Sequence, residues 1–150
     1  MKKNLLNKAA AGKMIARVNA LQADTQPKWG IMNATEMLLH CNLCNNQVLD
    51  GNIPYQKSTI KQQLLRIIAL YIAPHFPKNL KTEPDNDTKG KIGADQFEAQ
   101  KKLFIETMQQ FAERKDPITL THPAFGNLNT TQWGIAEWKH TDHHLRQFGV

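Results

Sequence analysis

The sequence lacks several features that would assign its class at once. It has two cysteines, Cys41 and Cys44, three positions apart on a predicted helix, a spacing too short for a disulfide framework. No stretch approaches the roughly 18 apolar residues of a membrane span, no hydrophobic signal region follows Met1, and strand-like alternation is absent. We therefore expect a cytoplasmic protein with reduced thiols.

The charge of the chain is basic, with a net charge of +6. Nucleic-acid-binding proteins usually gather such charge in a stripe with interleaved aromatic residues. The lysines here are scattered between the N-terminal region, a central loop and a later helix. We therefore expect neither nucleic acid nor a membrane as a partner.

Five segments have the apolar periodicity of a helix. They are predicted at residues 5–21, 33–50, 58–73, 95–116 and 129–149. Asn33 with Glu36 forms a capping box at the start of the second helix. Ser58, Asp95 and either Asn129 or Thr130 are the predicted caps of the third, fourth and fifth. Residues 78–93 are polar and predict a long exposed loop, mobile or closing as a lid.

The length and the helix pattern predict one domain, residues 1–150, of the all-α class. Four of the helices are long enough for a four-helix bundle. The third helix is predicted to lie in the crossover between the second and the fourth. Its apolar residues could serve a homodimer interface.

The candidate metal ligands are three histidines on two helices. His140 and His144 are four positions apart on the last helix, so they project from one face, one turn apart. His40 lies at the edge of the apolar face of the second helix. A third ligand from a facing helix is what a metal site in a bundle needs, so these residues predict a divalent-metal site. The alternative interpretation is that each is a hydrogen-bonded core or surface histidine.

Other polar residues have less specific patterns. Glu137 is the candidate catalytic residue, as a general base on a metal-bound water, although it could also be a partner that orients a histidine or a surface carboxylate. Cys41 and Cys44 have the spacing of a redox motif, but they lie mid-helix and are predicted to pack in the core, with Cys44 a possible neighbour of the metal pocket. His143 is assigned to the surface or to a supporting position. His75 and His122 lie in loops without a spacing signal.

Two blocks of the sequence resemble the DinB-like superfamily, and in particular one of its branches of unknown function. The blocks are Trp29-Gly30-Ile31-Met32-Asn33 leading to Met37-Leu38-Leu39-His40-Cys41, and His122-Pro123-Ala124-Phe125-Gly126 followed by Trp133 and residues 139–149. The resemblance implies a four-helix bundle in up-down-down-up order. It also implies a metal site formed by His40, His140 and His144, and a homodimer.

The resemblance further implies a function. Relatives include metal-dependent transferases and isomerases that use low-molecular-weight thiols. We therefore expect a metal-dependent transferase or hydrolase acting on a small molecule, with zinc as the first choice of metal and nickel or iron next. Such a metal could activate a water or a thiol as a nucleophile. The alternative is a non-catalytic metal- or ligand-binding stress protein. A vacant coordination position would favour the enzyme, and a closed four-ligand site the binding protein.

Overall fold

The computed structural model describes residues 3–150, and its regular structure is mostly helical. The five α-helices are α1 (Lys8–Ala20), α2 (Ala34–Leu49), α3 (Ile60–Ile67), α4 (Phe97–Glu113) and α5 (Thr130–Gln147). A short antiparallel hairpin, β1 (Thr121–His122) and β2 (Gly126–Asn127), precedes α5. The hairpin was not predicted, because two-residue strands are too short to produce an alternating pattern.

The helix starts follow from local hydrogen bonding. Capping boxes begin α2 at Asn33 and α5 at Asn129, as the sequence predicted for the first and left open for the second. Three predicted starts were wrong. Asn7 caps α1, Thr59 rather than Ser58 caps α3, and a short 3-10 turn carries Asp95 before α4 begins. The first two errors arise because several adjacent polar residues can each cap a helix.

The core lies among α1, α2, α4 and α5. Helix α2 packs mainly against α4, and α1 contacts both α4 and α5. The apolar residues on these helices are largely buried. The buried set includes Ala10, Met14, Val18, Met37, Cys41, Val48, Phe104, Met108, Phe111, Trp133 and Leu145.

Helix α3 differs from the other four. It continues into a π-helical turn, Ile68–Ile72, and contacts β2, while the turn contacts α5. None of the residues of α3 itself is buried. The helix therefore lies at the periphery of the core, between α2 and α4 in the chain. In the part of the chain that the structure describes, no helix is long and apolar enough to cross a bilayer.

Candidate metal centre

Three histidine rings meet between α2 and α5. The Nε2 atom of His140 lies 3.2 Å from Nε2 of His40 and 3.2 Å from Nε2 of His144. The ring centroids of His40 and His144 are 4.8 Å apart. The structure thus brings together the three histidines selected from the sequence, and each directs the same ring nitrogen at a neighbour in the cluster.

The protons on two of these rings are fixed by their other nitrogens. Nδ1 of His40 lies 2.8 Å from the carbonyl oxygen of Asn86, which can only accept, so this nitrogen donates. Nδ1 of His144 lies 2.9 Å from Oε1 of Gln147. The amide nitrogen of Gln147 donates to the carbonyl oxygen of Trp29, which orients its Oε1 toward His144. Both neutral imidazoles therefore direct an Nε2 lone pair into the cluster.

This arrangement leaves the cluster short of hydrogen-bond donors. His140 can place one proton on Nε2, whereas His40 and His144 both present acceptors to that atom. A single proton cannot serve both acceptors well, so at least one Nε2 lone pair lacks a hydrogen-bond donor. A cation among the three nitrogens would satisfy all of them, which is the donor set that divalent metals take from imidazole.

The electrostatics of the cluster favour neutral rings. Burial lowers the pKa of His40. Burial, followed by the nearby charge of His40, lowers the pKa of His144 to about 3. Burial, followed by the charges of His144 and His40, holds the pKa of His140 well below its usual range. Neutral imidazole is the form that binds metals, so near neutral pH all three rings are in the protonation state that a metal requires.

A cysteine joins the cluster from α2. Sγ of Cys44 lies 3.9 Å from Nε2 of His40, and one ligand atom from each of His40, Cys44 and His140 lies within 4.8 Å of the others. These three residues could hold a metal ion. Burial and then the charge of Glu137 raise the pKa of the Cys44 thiol to about 12, so without a cation the sulfur keeps its proton.

Both cysteines are free, as expected for reduced thiols. Cys41 is buried in the core, but Cys44 is only partly buried and faces His40. The prediction of a fully buried Cys44 was therefore wrong, whereas the prediction that it neighbours the metal pocket is confirmed. That prediction rested on its position one turn after His40, which places the two side chains on the same helix face.

The central loop supports His40. The sequence predicted an exposed mobile loop or lid at residues 78–93, and much of it is exposed, but Asn86 and Thr88 are buried. The hydroxyl of Thr88 donates to the carbonyl oxygen of Glu36, and the carboxylate of Glu36 accepts from the backbone of Gly90 and from Lys89. These contacts fix the loop to the first turn of α2, which holds the Asn86 carbonyl against the ring of His40.

A second segment supports His144. The turn before α2 places Trp29 where its carbonyl accepts from Gln147. Gly30 has φ +81°, and a β-carbon there would lie 2.6 Å from Nε2 of Gln147. A side chain at position 30 would therefore strain the backbone and displace the glutamine that orients His144. The sequence did not identify Asn86 or Gln147, because hydrogen bonds between distant segments leave no periodic signal.

The other two candidates on α5, Glu137 and His143, are both buried. Glu137 is buried on α5, and its Oε2 has no hydrogen-bond partner. Burial raises its pKa to about 8. His143 was assigned to the surface or a supporting position, but a surface position is wrong, since it is buried with its ring against Trp29 and His144.

His122 is part of the hairpin rather than of a loop. Its ring stacks on Phe125 with centroids 4.4 Å apart and lies 5.0 Å from the ring of Trp133. Its Nδ1 accepts from the backbone of Ala124 at 3.0 Å. The side chain therefore stabilises the turn of the hairpin. His75 is partly exposed near Asp142.

Comparison with known proteins gives the family of the chain. No curated protein and no solved structure has significant similarity to it. One family model, DUF1569, described as a protein of unknown function, matches residues 1–149. The chain therefore belongs to the DUF1569 family.

Proposed function

We propose that the protein is a metalloprotein in which His40, His140 and His144 bind one divalent ion through their Nε2 atoms. One observation carries this proposal. The Nε2 atoms of His40 and His144 both point at Nε2 of His140, while their Nδ1 atoms are hydrogen-bonded to Asn86 and Gln147. A set of neutral imidazoles suits zinc first, then nickel or ferrous iron.

The proposal includes a DinB-like four-helix bundle formed by α1, α2, α4 and α5, in up-down-down-up order. Two observations support it. These four helices supply most of the core, and α3 lies at the periphery in the crossover between α2 and α4. The histidines on the second and last bundle helices also lie in contact, as the superfamily pattern requires.

The activity that fits this site best is transfer or hydrolysis on a small molecule, with a low-molecular-weight thiol as co-substrate in the transferase case. A divalent ion held by three imidazoles supplies Lewis acidity near an open coordination position. Glu137 is the chain's own candidate for a general base, because its carboxyl group is buried one turn before His140 and Oε2 is free of hydrogen bonds.

A second candidate function rests on Cys44. Its sulfur lies against the cluster, within 4.8 Å of the ligand atoms of both His40 and His140. If the thiolate binds the ion together with the three imidazoles, the site is closed with four ligands. A closed site leaves no position for a substrate, and the protein would then bind metal without catalysis.

Cobalt substitution distinguishes the two functions. The cobalt(II) protein and its Cys44→Ala variant are compared by absorption spectroscopy, since a cobalt–thiolate bond gives charge-transfer absorption in the near ultraviolet. The enzyme proposal predicts equal metal content and no thiolate band in either protein. A thiolate band in the wild type that the variant lacks would support the closed site.

Activity is tested on the zinc- or nickel-loaded protein. Reduced glutathione or bacillithiol is offered with a panel of electrophiles, and hydrolysis of activated esters is followed in parallel. We expect metal-dependent turnover that Glu137→Gln lowers by roughly 10²- to 10⁴-fold while keeping the metal. Full metal occupancy without turnover across the panel would favour the binding protein.

A further inference from the structure

Helix α3 packs on the protein through polar side chains and exposes its apolar ones, the reverse of the core helices. The side of the helix that packs on the hairpin is polar, since Gln62 donates to the carbonyl oxygen of Pro123 and Arg66 to that of Asn127. The hydroxyl of Ser58, just before the helix, accepts from the backbone of Asn127. The segment is thus attached by its hydrogen-bonding side chains.

The apolar side of the same helix is exposed to solvent. We call this surface the α3 face. It consists of Ile60, Leu64, Leu65, Ile67, Ile68, Tyr71 and Ile72, which are between 43% and 77% exposed. At 100° per residue the positions from Ile60 to Ile68 form one continuous arc of α3, and the π-helical turn extends the exposed apolar surface with Tyr71 and Ile72. Single exposed apolar residues are ordinary on a protein surface, whereas an arc of seven large ones indicates an interaction surface.

The charge of this region indicates what covers it. Residues 51–82 contain no Asp or Glu and five basic residues, so this segment provides nearly all of the excess positive charge of the chain. Four of these are lysines on the surface, Lys57, Lys61, Lys78 and Lys81. Lys57 lies just before α3 and Lys61 on it, whereas Lys78, whose ammonium group lies over the ring of Trp29, and Lys81 follow in the next loop.

We infer that the α3 face docks the protein on the surface of an anionic lipid bilayer, with α3 lying in the interface. An amphipathic helix with an exposed apolar face and basic residues binds in this way, the apolar side chains entering the headgroup region. Lys57 and Lys61, just before the helix and on it, would attract anionic headgroups, and Tyr71 is of a type enriched at that depth. The inference differs from the expectation of no membrane partner, which considered spanning segments and scattered lysines.

A second copy of the chain fits the α3 face less well. Lys61 projects within the apolar arc, between the directions of Ile68 and Leu65. In a two-fold dimer through this surface, two segments with only positive charge would meet, and each Lys61 would be pressed against apolar side chains without an acidic partner from residues 51–82. At a membrane the same lysine extends its stem and keeps its ammonium group among the headgroups.

Vesicle flotation of the full chain tests the inference. Vesicles of phosphatidylcholine alone are compared with vesicles that also contain phosphatidylglycerol, at low and high salt. We expect flotation with the anionic vesicles and weaker binding at high salt. The double variant Leu64→Gln/Ile68→Gln should bind at least tenfold more weakly, and so should Lys57→Glu/Lys61→Glu.

Control variants keep the interpretation specific. Ile31→Gln removes an equally exposed apolar side chain outside the segment, and Lys13→Glu reverses a charge on α1, so both should float like the wild type. Circular dichroism and thermal melting check that each variant folds.

Three results would overturn the inference. The first is equal binding by the wild type and both α3 variants, and the second is no binding to any vesicle. The third is a dimer in analytical ultracentrifugation that Leu64→Gln/Ile68→Gln dissociates, without vesicle binding, which would assign the face to a second copy. None of the variants changes a metal ligand, and the flotation is repeated with chelator. A negative flotation result therefore leaves the metal proposal standing, and a failure of the metal proposal leaves the flotation result unaffected.

Discussion

His40 and His140 connect two helices across the site, with their Nε2 atoms 3.2 Å apart. Helix α2, which carries His40, packs mainly against α4, and α5 has few other contacts with it. A metal bound by these residues would therefore cross-link α2 to α5. The candidate site thus couples ligand binding to the stability of the fold.

Chelation should lower the melting temperature. A metal that binds only the folded chain stabilises it by about 2.7 kcal/mol when free metal is a hundredfold above Kd. For a chain of this size that corresponds to roughly 5–10 °C. Differential scanning calorimetry of the metal-loaded protein with and without excess chelator measures the difference. Equal melting temperatures, with the metal shown to be present before chelation, would contradict the cross-link.

Gln147 should be required for full metal affinity although it is not a ligand. Its Oε1 accepts from Nδ1 of His144 and so directs the opposite nitrogen into the cluster. We expect Gln147→Ala to weaken zinc binding by 10- to 100-fold, as loss of such a supporting partner commonly does. Competition with a chromophoric chelator measures the affinity.

Gly30→Ala should weaken the same hydrogen bond between Gln147 and His144. The added β-carbon would push the amide of Gln147 away from His144, so zinc affinity should fall in the same direction while the helix content is kept. Gln110→Ala serves as a control that removes an exposed glutamine on α4, outside the cluster. If both Gln147→Ala and Gly30→Ala bind zinc as tightly as the wild type, orientation of His144 by Gln147 is unnecessary.

His122 should make the metal-free protein sensitive to acid. Burial lowers its pKa from 6.5 to about 4, so protonation favours the unfolded chain. The stability from the neutral ring is fully present above pH 6.5 and is lost as pH falls toward and through 4. The shift corresponds to a loss of up to about 3 kcal/mol.

The variant His122→Asn isolates this effect. The asparagine oxygen can accept from the backbone of Ala124 as Nδ1 does, but it does not titrate in this range. Urea unfolding in the presence of chelator should show a smaller loss of stability between pH 6.5 and 4 than in the wild type. An unchanged pH dependence would mean that the ring of His122 is not desolvated in solution.

The sequence could predict the features that depend on periodicity and short spacing. The four core helices, the capping box at Asn33 and the pair His140 and His144 are of this kind. It could not predict features that depend on contacts between distant segments, such as the partners Asn86 and Gln147. It also could not show that α3 packs through its polar side, because helical periodicity identifies an apolar face but not what that face contacts.

Metal content tests the central claim most directly. The wild type, His144→Ala and His75→Gln are reconstituted with zinc, nickel or ferrous iron, dialysed, and analysed by inductively coupled plasma mass spectrometry. His75→Gln is the control, since it removes an exposed histidine outside the cluster. We predict about one ion per chain in the wild type and the control, and a sharp fall in His144→Ala with helicity kept. Full metal content in His144→Ala, or none in the wild type with any of the three metals, would contradict the account.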